Sequence, residues 1–569
     1  MSVRALSIAG LWLLGLAFSQ GALAQVVDPP RGGSQLQQIP PSPAPLRAIP
    51  EIRIEQGSAP AISGADSVRF PVRSLRVSGQ TLYTEAELIA ITGFVPGGDV
   101  SLADLRAMAS KIANHYHRHG YFVAQAYLPA QDIKDGAVTI AVLEGHYGNI
   151  TLRNQSKLSN SLANGLLGGL NSGDTIAIAP LEERLLLLSD IPGVNVRSSL
   201  VPGTQIGTSD LLVDVTPGRP VTGSVEADNA GSRYTGETRV GGSVYLNNPL
   251  GLGDQAGLRV LTSGRGLTYG RAFYQLQFGR ATVGVAYTAL EYHLGKEFAA
   301  LQAHGTAEIA SVYASYPLIR SRNTNLYAMA QYDYRTYQDK VDTAAPPLNV
   351  TDKRNNVLIG SLYGNHRDSL GAGGLSTFSL AYSAGDLDIR TAAALATDAA
   401  GPRTNGSYGK LAFSAARLQN LTDTVALYAA INGQFASKNL DISEKMSLGG
   451  PYAVRAYPVG EAYADEGYVV NLEARWRLPK FSASLPGQFH LVGFIDAGGV
   501  TINKNTFPGS AVPNHRSLSG AGFGATWVDY NNFSLSAYWA HKLGNEAATS
   551  VPASVDRKSR IWLQAVKYF

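Results

Sequence analysis

From residue 220 to residue 569, apolar and polar side chains alternate one by one through successive segments broken by Gly, Asn, Asp and Pro. A period of two marks strands with one apolar face and one wetted face. The clearest segment places Tyr468, Val470, Leu472, Ala474, Trp476 and Leu478 on one side and Asn471, Glu473, Arg475 and Arg477 on the other. Val240, Val244 and Leu246 oppose Arg239, Ser243 and Asn247 in the same way. We count sixteen such segments within 220–569 and expect no helix among them. A long even series suits an antiparallel sheet that closes on itself, with lipid outside and a wet lumen inside. The expected fold class is therefore an all-β transmembrane barrel of 16 antiparallel strands, preceded by two small α/β domains.

Those domains are read from a change of period. Residues 70–148 give a strand Val72–Val77, a helix opened by the capping box Thr84-x-x-Glu87, and a second helix capped by Ser101. Leu102, Leu105, Met108, Ile112 and Tyr116 form the apolar stripe of that second helix, and strands Phe122–Leu128 and Ala137–Leu143 follow. A divergent second copy over 149–219 repeats the order with strand Ile150–Arg153, a helix at Leu158–Leu167, a helix with Pro180 at its first position, and strands Val194–Val201 and Leu211–Thr216.

Further upstream, Arg4, the apolar run Ala5–Phe18 and Ala22-Leu23-Ala24 predict a cleaved signal peptide over 1–24. Residues 25–69 carry eight prolines and read as an extended periplasmic linker, in which only Gly33–Ile39 could form a short helical turn.

Composition narrows the function. The chain has no Cys, 61 Gly, 28 Tyr and only 16% charged residues, whereas soluble domains carry about a quarter. Disulfides and cysteine-held metals are excluded. A net charge of +4 with no basic run gives no nucleic-acid footprint. Gly251-x-Gly253-x-x-Ala256 and Gly520-x-Gly522-x-x-Ala525 match a loose dinucleotide pattern without the strand–helix junction that phosphate binding requires. His115 and His119 stand one helical turn apart, but His117 points away and no acidic ligand is near in sequence, so a helix C-terminus explains them better. Neither a cofactor nor enzymatic chemistry is expected.

One connection is too long to be idle. Ser437–Glu466 separates the eleventh and twelfth strands and contains Gly449-Gly450-Pro451-Tyr452-Ala453-Val454-Arg455-Ala456-Tyr457. Arg455 can fold into the lumen if a carboxylate receives it, and Asp496 offers one on the face it shares with Phe494.

These residues carry a resemblance. Tyr116-x-x-x-Gly120-Tyr121, Leu128-Pro129-x-Gln131-x-Ile133, Gly136-x-Val138 and Glu144-Gly145 resemble the first polypeptide-transport-associated (POTRA) domain of the haemolysin secretion/activation family, ShlB/FhaC/HecB. Ile191-Pro192-Gly193-Val194 is similar to the second. Val454-Arg455-Ala456-Tyr457 resembles the family's lumen-loop signature, Phe494-x-Asp496-x-Gly498 the strand that receives its arginine, and Phe569 the terminal aromatic insertion signal.

The resemblance implies a two-partner secretion transporter in the bacterial outer membrane, POTRA domains in the periplasm, that passes one large secreted exoprotein to the surface. Haemolysin, adhesin and haem-acquisition cargo stay open. The implied partners are that exoprotein, outer-membrane lipid and the barrel assembly machinery. A general barrel-assembly insertase and a passive porin are the alternatives. Three departures stand out. Ala456 replaces a Gly and would restrict the loop tip if positive φ is needed there. Lys567 stands where an apolar residue is usual, and the Pro-rich linker leaves little room for the family's plug helix.

Overall fold

The computed structural model describes residues 29–43, 51–54, 68–133, 135–342, 349–482 and 484–569. The expected signal peptide 1–24 lies outside the described residues, as does much of the expected linker. Two short elements come first: helix α1 (Gly32–Gln37) and strand β1 (Glu51–Ile54).

In the first α/β unit, β2 (Arg69–Val72) and β3 (Ser74–Ser78) replace the single strand expected over 72–77. Helix α2 (Glu85–Thr92) starts where its capping box predicts: the Thr84 hydroxyl accepts from the Glu87 N–H and the Glu87 carboxylate accepts from the Thr84 N–H. Strand β4 (Gly98–Ser101) pairs with β2, and Ser101 then caps helix α3 (Leu102–Arg118) through a reciprocal bond with Asp104. Leu105, Ala109, Ile112 and Tyr116 bury the α3 stripe against Val138, Ile140 and Val142 of strand β6 (Ala137–Leu143). Strand β5 (Gln125–Tyr127), shorter than expected, completes a sheet of order β3-β6-β5.

The second unit contains β7 (His146–Asn154), α4 (Asn160–Leu167), α5 (Ile178–Ser189), β8 (Val194–Pro202) and β9 (Thr208–Pro217). The division expected between 148 and 149 falls inside β7, so the units change over at Glu144–Gly145. Helix α5 begins at Ile178, whose N–H is bonded to the Gly120 carbonyl of the first unit at 2.9 Å. Pro180 therefore sits third, still within the turn whose N–H groups lack helical partners. The sheet order is β1-β8-β9-β7, with β1 parallel to β8. Part of the expected linker thus belongs to a sheet.

Beyond residue 220 sixteen strands, β10 (Val221–Asp228) through β25 (Ser559–Tyr568), form a closed barrel of antiparallel neighbours. The seam between β10 and β25 has five residue pairs and is extended by Phe569, whose N–H and carbonyl both bond Gly223 at 3.1 Å. Alternation is realised as expected. Tyr468, Leu472 and Trp476 face outward and are about half exposed, whereas Asn471 and Glu473 reach inside. At the end nearest the α/β units, Trp527 stacks on Phe489 at 4.8 Å and meets Phe533 edge-on at 4.8 Å, an aromatic belt of the kind found where membrane meets water. Lys567 also points outward at this end and reaches Asn532, as an amphipathic side chain does at an interface. Contrary to expectation, the barrel region does hold a helix, α6 (Ala392–Ala400), in a far-end loop whose alanine content favours it. Among the described residues no helix is long and apolar enough to cross a membrane.

Candidate functional site: the occupied lumen

Two segments fill the barrel interior. The first is the loop 437–466, which enters from the far end. Its Arg455 is nearly buried and binds Asp496 on strand β22 (Gln488–Thr501) by three bonds: Nε to Oδ2 at 2.8 Å, Nη2 to Oδ1 at 2.7 Å, and its own N–H to Oδ2 at 3.1 Å. The remaining Nη1 donates to Glu473 of strand β21 (Glu466–Arg477) at 2.8 Å. Asn471 donates to Asp496 at 2.7 Å and to the Ala453 carbonyl at 2.9 Å, and Trp562 donates to the Arg455 carbonyl at 2.7 Å. The guanidinium lies 3.6 Å from the centroid of the Phe494 ring. A fork-shaped cation, charge-assisted partners and an aromatic floor suit Arg and would not suit Lys.

Close backbone approach explains the glycines. A Cβ on Gly498 would stand 2.8 Å from Leu448 Cδ2, and one on Gly520 would stand 2.6 Å from the Ala456 Cβ. The Gly520-x-Gly522 pattern therefore clears space for the loop tip and for Phe494. Ala456 is buried without a positive φ, so its methyl fills that space and leaves the backbone unstrained, contrary to the expectation for a Gly replacement. Val454 donates to the Leu448 carbonyl at 2.8 Å, while Tyr457 donates to the Glu546 carbonyl at 3.1 Å and lies 4.5 Å beneath Lys542.

Sequence reasoning missed the other anchors of this loop. Glu461 is fully buried and accepts from Arg516, from the hydroxyls of Thr549 and Ser550, and from the N–H groups of both. Glu444 receives Arg335 and Lys410, each at 2.6 Å, and Asp441 receives Lys353. Inward-facing basic residues at period two on the neighbouring strands were the available signal.

The second segment is the amino-terminal one. Helix α1 forms where a short turn was expected at Gly33–Ile39 and lies inside the far end of the barrel, so the little room expected in the linker is enough for a short helix in the lumen. A short helix suffices because its small residues allow close contact: a Cβ on Gly33 would stand 2.7 Å from the Ser443 Cα. Polar bonds hold it, from the Gly32 N–H to Asp339 at 2.9 Å, from Thr235 to Gln35 at 2.9 Å, and from Tyr463 to the Ser34 carbonyl at 3.3 Å.

The POTRA-like residues form a separate cluster. Glu144 is buried and accepts from the hydroxyl and N–H of Thr81, from the Leu82 N–H at 2.9 Å, and from the Tyr116 hydroxyl at 2.8 Å. Burial opposes its charge, but these donors overcome it and hold the carboxyl below its ordinary range. Gly120, Gly136 and Gly145 all take positive φ, and a Cβ on Gly145 would collide with Val123. Gln131 pairs with both backbone groups of Thr139, at 2.7 and 2.8 Å. Leu128 and Tyr121 pack on the unit's core, and the Tyr121 ring lies 6.1 Å from that of Tyr116. Pro129 joins Leu128 to the Gln131 turn, and its carbonyl accepts from the Gln131 amide. The rings of His115 and His119 lie 4.3 Å apart, tilted by 45°, beside Tyr83.

A plugged sixteen-stranded barrel with an inserted arginine loop and two small α/β units defines an outer-membrane transporter with periplasmic POTRA domains. Comparison places the chain further. Residues 207–527 match the model of the haemolysin secretion/activation protein ShlB/FhaC/HecB, and residues 70–145 match the ShlB-type POTRA domain. The chain is 30% identical to the heme/hemopexin transporter protein HuxB of Haemophilus influenzae, over 99% of this chain and 98% of that one. It is 24% identical to the outer membrane transporter CdiB of Dickeya dadantii, over 76% and 77% respectively. The structure of CdiB from Escherichia coli superposes with a TM-score of 0.68 at 21% identity, covering 90% of this chain and 93% of that one. BamA from Haemophilus ducreyi shares the fold at a TM-score of 0.53 and 14% identity, over 88% of this chain and 100% of that one. The chain belongs to the haemolysin secretion/activation family ShlB/FhaC/HecB. It is an outer-membrane transporter of two-partner secretion, whose near end is periplasmic and far end extracellular.

Proposed function

We propose that this transporter takes one large exoprotein in extended form from its POTRA domains, which add a strand to it, and conducts it along the wet lumen to the cell surface. The observation that carries the reading is the path of residues 38–42. Gln38 meets Arg239 and Ser42 meets Ser243, so the segment advances residue for residue with strand β11 (Arg239–Asn247). Beyond the turn at Gln38–Ile39 that ends α1, the lumen already accommodates a stretch of chain, residues 40–42, that forms neither helix nor strand.

In this reading, residues 1–24 direct export and are removed, 70–145 and 146–219 are the two POTRA domains, with the division moved from 148/149 to the start of β7, and 220–569 is the barrel. Arg455 and Asp496 act as a latch that holds the loop between two arrangements, with Val454, Ala456, Tyr457, Phe494 and Gly498 shaping its seat. The Tyr116–Glu144 cluster keeps the first POTRA domain rigid. Lipid contacts the outward apolar band, and Phe569 presents the terminus that the assembly machinery reads. Transport needs no covalent step and no cofactor. Full-length likeness to the heme/hemopexin transporter favours a haem-acquisition exoprotein over a haemolysin or adhesin.

The test is the protein inventory of culture supernatant and outer membrane in intact, gene-deleted and Arg455→Ala strains. Loss of one large supernatant protein with other barrels unchanged is the expected outcome. A general fall in outer-membrane barrels would favour the insertase reading instead, and no change would favour a porin.

A further inference from the structure

The segment that follows the plug is held in an unusual way. Arg239 is almost wholly buried; its Nε and Nη2 are fixed by Asp228 at 2.9 and 3.2 Å, and its Nη1 donates to the Gln38 carbonyl at 3.0 Å. On the next strand, β12 (Gln255–Thr262), Arg259 repeats the design: Nε and Nη2 are fixed by Glu226 at 3.2 and 2.6 Å, and Nη1 donates to the Pro40 carbonyl at 2.5 Å. Each guanidinium is thus oriented by its own carboxylate and keeps one N–H for a main-chain carbonyl two residues from its neighbour's. Beside Arg259, whose register partner is Ser243, the Ser42 hydroxyl reaches Ser243 at 3.2 Å and Tyr245 at 2.6 Å.

Neither arginine reads a side chain of the segment. The bound carbonyls of Gln38 and Pro40 belong to the turn out of α1, Gln38 having φ −81° and ψ −6°, and an extended chain of any sequence offers carbonyls at the same i and i+2 spacing on one side. The carboxylates prevent the guanidiniums from becoming loose charges that would trap an acidic chain, and they leave the donors in place when the segment departs.

We propose that Arg239 and Arg259 form a main-chain track for the exported polypeptide, and that residues 38–42 occupy this track at rest as a stand-in for it. The inference rests on the export reading and assigns the lumen residues that execute it. The moving chain exchanges one carbonyl for the next every two residues, so the track guides it without stopping it at any particular sequence. Tyr245 lies two residues to the periplasmic side of the register pair Ser243–Arg259 and receives the chain first.

The experiment uses the full chain in planar lipid bilayers, with an uncharged 30-residue Gly/Ser/Gln peptide added to the periplasmic side as the probe. Gly33→Leu serves as the background, because the added side chain collides with Ser443 and displaces the plug. Dwell times of peptide-blocked current are compared with and without Arg239→Gln/Asp228→Asn and Arg259→Gln/Glu226→Gln, which remove the charges as neutral pairs and leave no buried ion alone. Retained heat-modifiable gel mobility reports an intact barrel. We expect the four-residue variant to shorten dwell about tenfold, the equivalent of ~1.4 kcal/mol, and Arg→Lys exchanges to fall between. Unchanged dwell in folded channels would overturn the track and leave export standing, since the arginines would then serve only the plug. If the peptide never enters the Gly33→Leu channel, the export reading itself fails.

Discussion

Asp190, just past the end of α5, grips Arg320 at the periplasmic end of a barrel strand through two bonds of 2.7 and 2.9 Å. Two further pairs, Glu182 with Arg322 and Glu183 with Arg280, join the same helix to neighbouring turns of the rim. The second POTRA domain is therefore docked on the barrel mouth by three carboxylates from one helix. Combining Asp190→Asn with Glu183→Gln should loosen the domain without unfolding it, because partly exposed pairs contribute only about 0.2–1 kcal/mol each. Spin-label distances between this domain and the rim should broaden, and raised salt should broaden them in the parent protein too.

Arg455→Ala leaves Asp496 buried without its cation, a loss of about 3–5 kcal/mol, while Glu473 keeps Arg475. The barrel should then lose its heat-modifiable gel mobility at a lower temperature. Arg455→Ala combined with Asp496→Ala should cost less than the two changes summed, and a thermal double-mutant cycle would measure that coupling.

The loop tip and the barrel wall meet through Ala456 and Gly520. Gly520→Ala should destabilise the closed loop by about 1–3 kcal/mol through overpacking. Adding Ala456→Gly should restore most of that loss. Protease accessibility of the loop in outer-membrane vesicles would follow both changes.

The first POTRA domain should be acid-sensitive. Glu144 is held below its ordinary value of 4.5, so its folded form binds a proton less readily than the unfolded chain. The stability this adds is complete above the unfolded value and is lost as pH falls through the folded one. Chemical denaturation from pH 7 to pH 3 should show the loss, and Glu144→Gln should be less stable at pH 7 with a flatter profile. Tyr116→Phe, which removes one donor, should shrink the loss and raise the pH at which it is complete.

Strand period and the capping residues Thr84 and Ser101 made the barrel and the first helices legible before any coordinates, because those signals are local. Arg455 and Asp496 were legible for another reason: an arginine flanked by aromatic residues in an overlong connection needs a carboxylate on an inward face. Glu473 lay on the inward face of the best-patterned strand, yet alternation says which way a residue points and nothing about which loop it meets. The helical turn at Gly33–Ile39 was legible and forms as α1 over Gly32–Gln37, but its place inside the barrel was not, because six residues carry too little periodicity to show which surface they meet. Strand β1 was hidden likewise, since its partner β8 lies about 145 residues further along the chain.

In the transport cycle proposed above, the plug and the channel are one polypeptide, so closing is a first-order event. Each barrel recloses on its own stopper at a rate set by chain geometry, untouched by how many copies the membrane holds. A cell can therefore raise the number of transporters without raising the fraction that stands open.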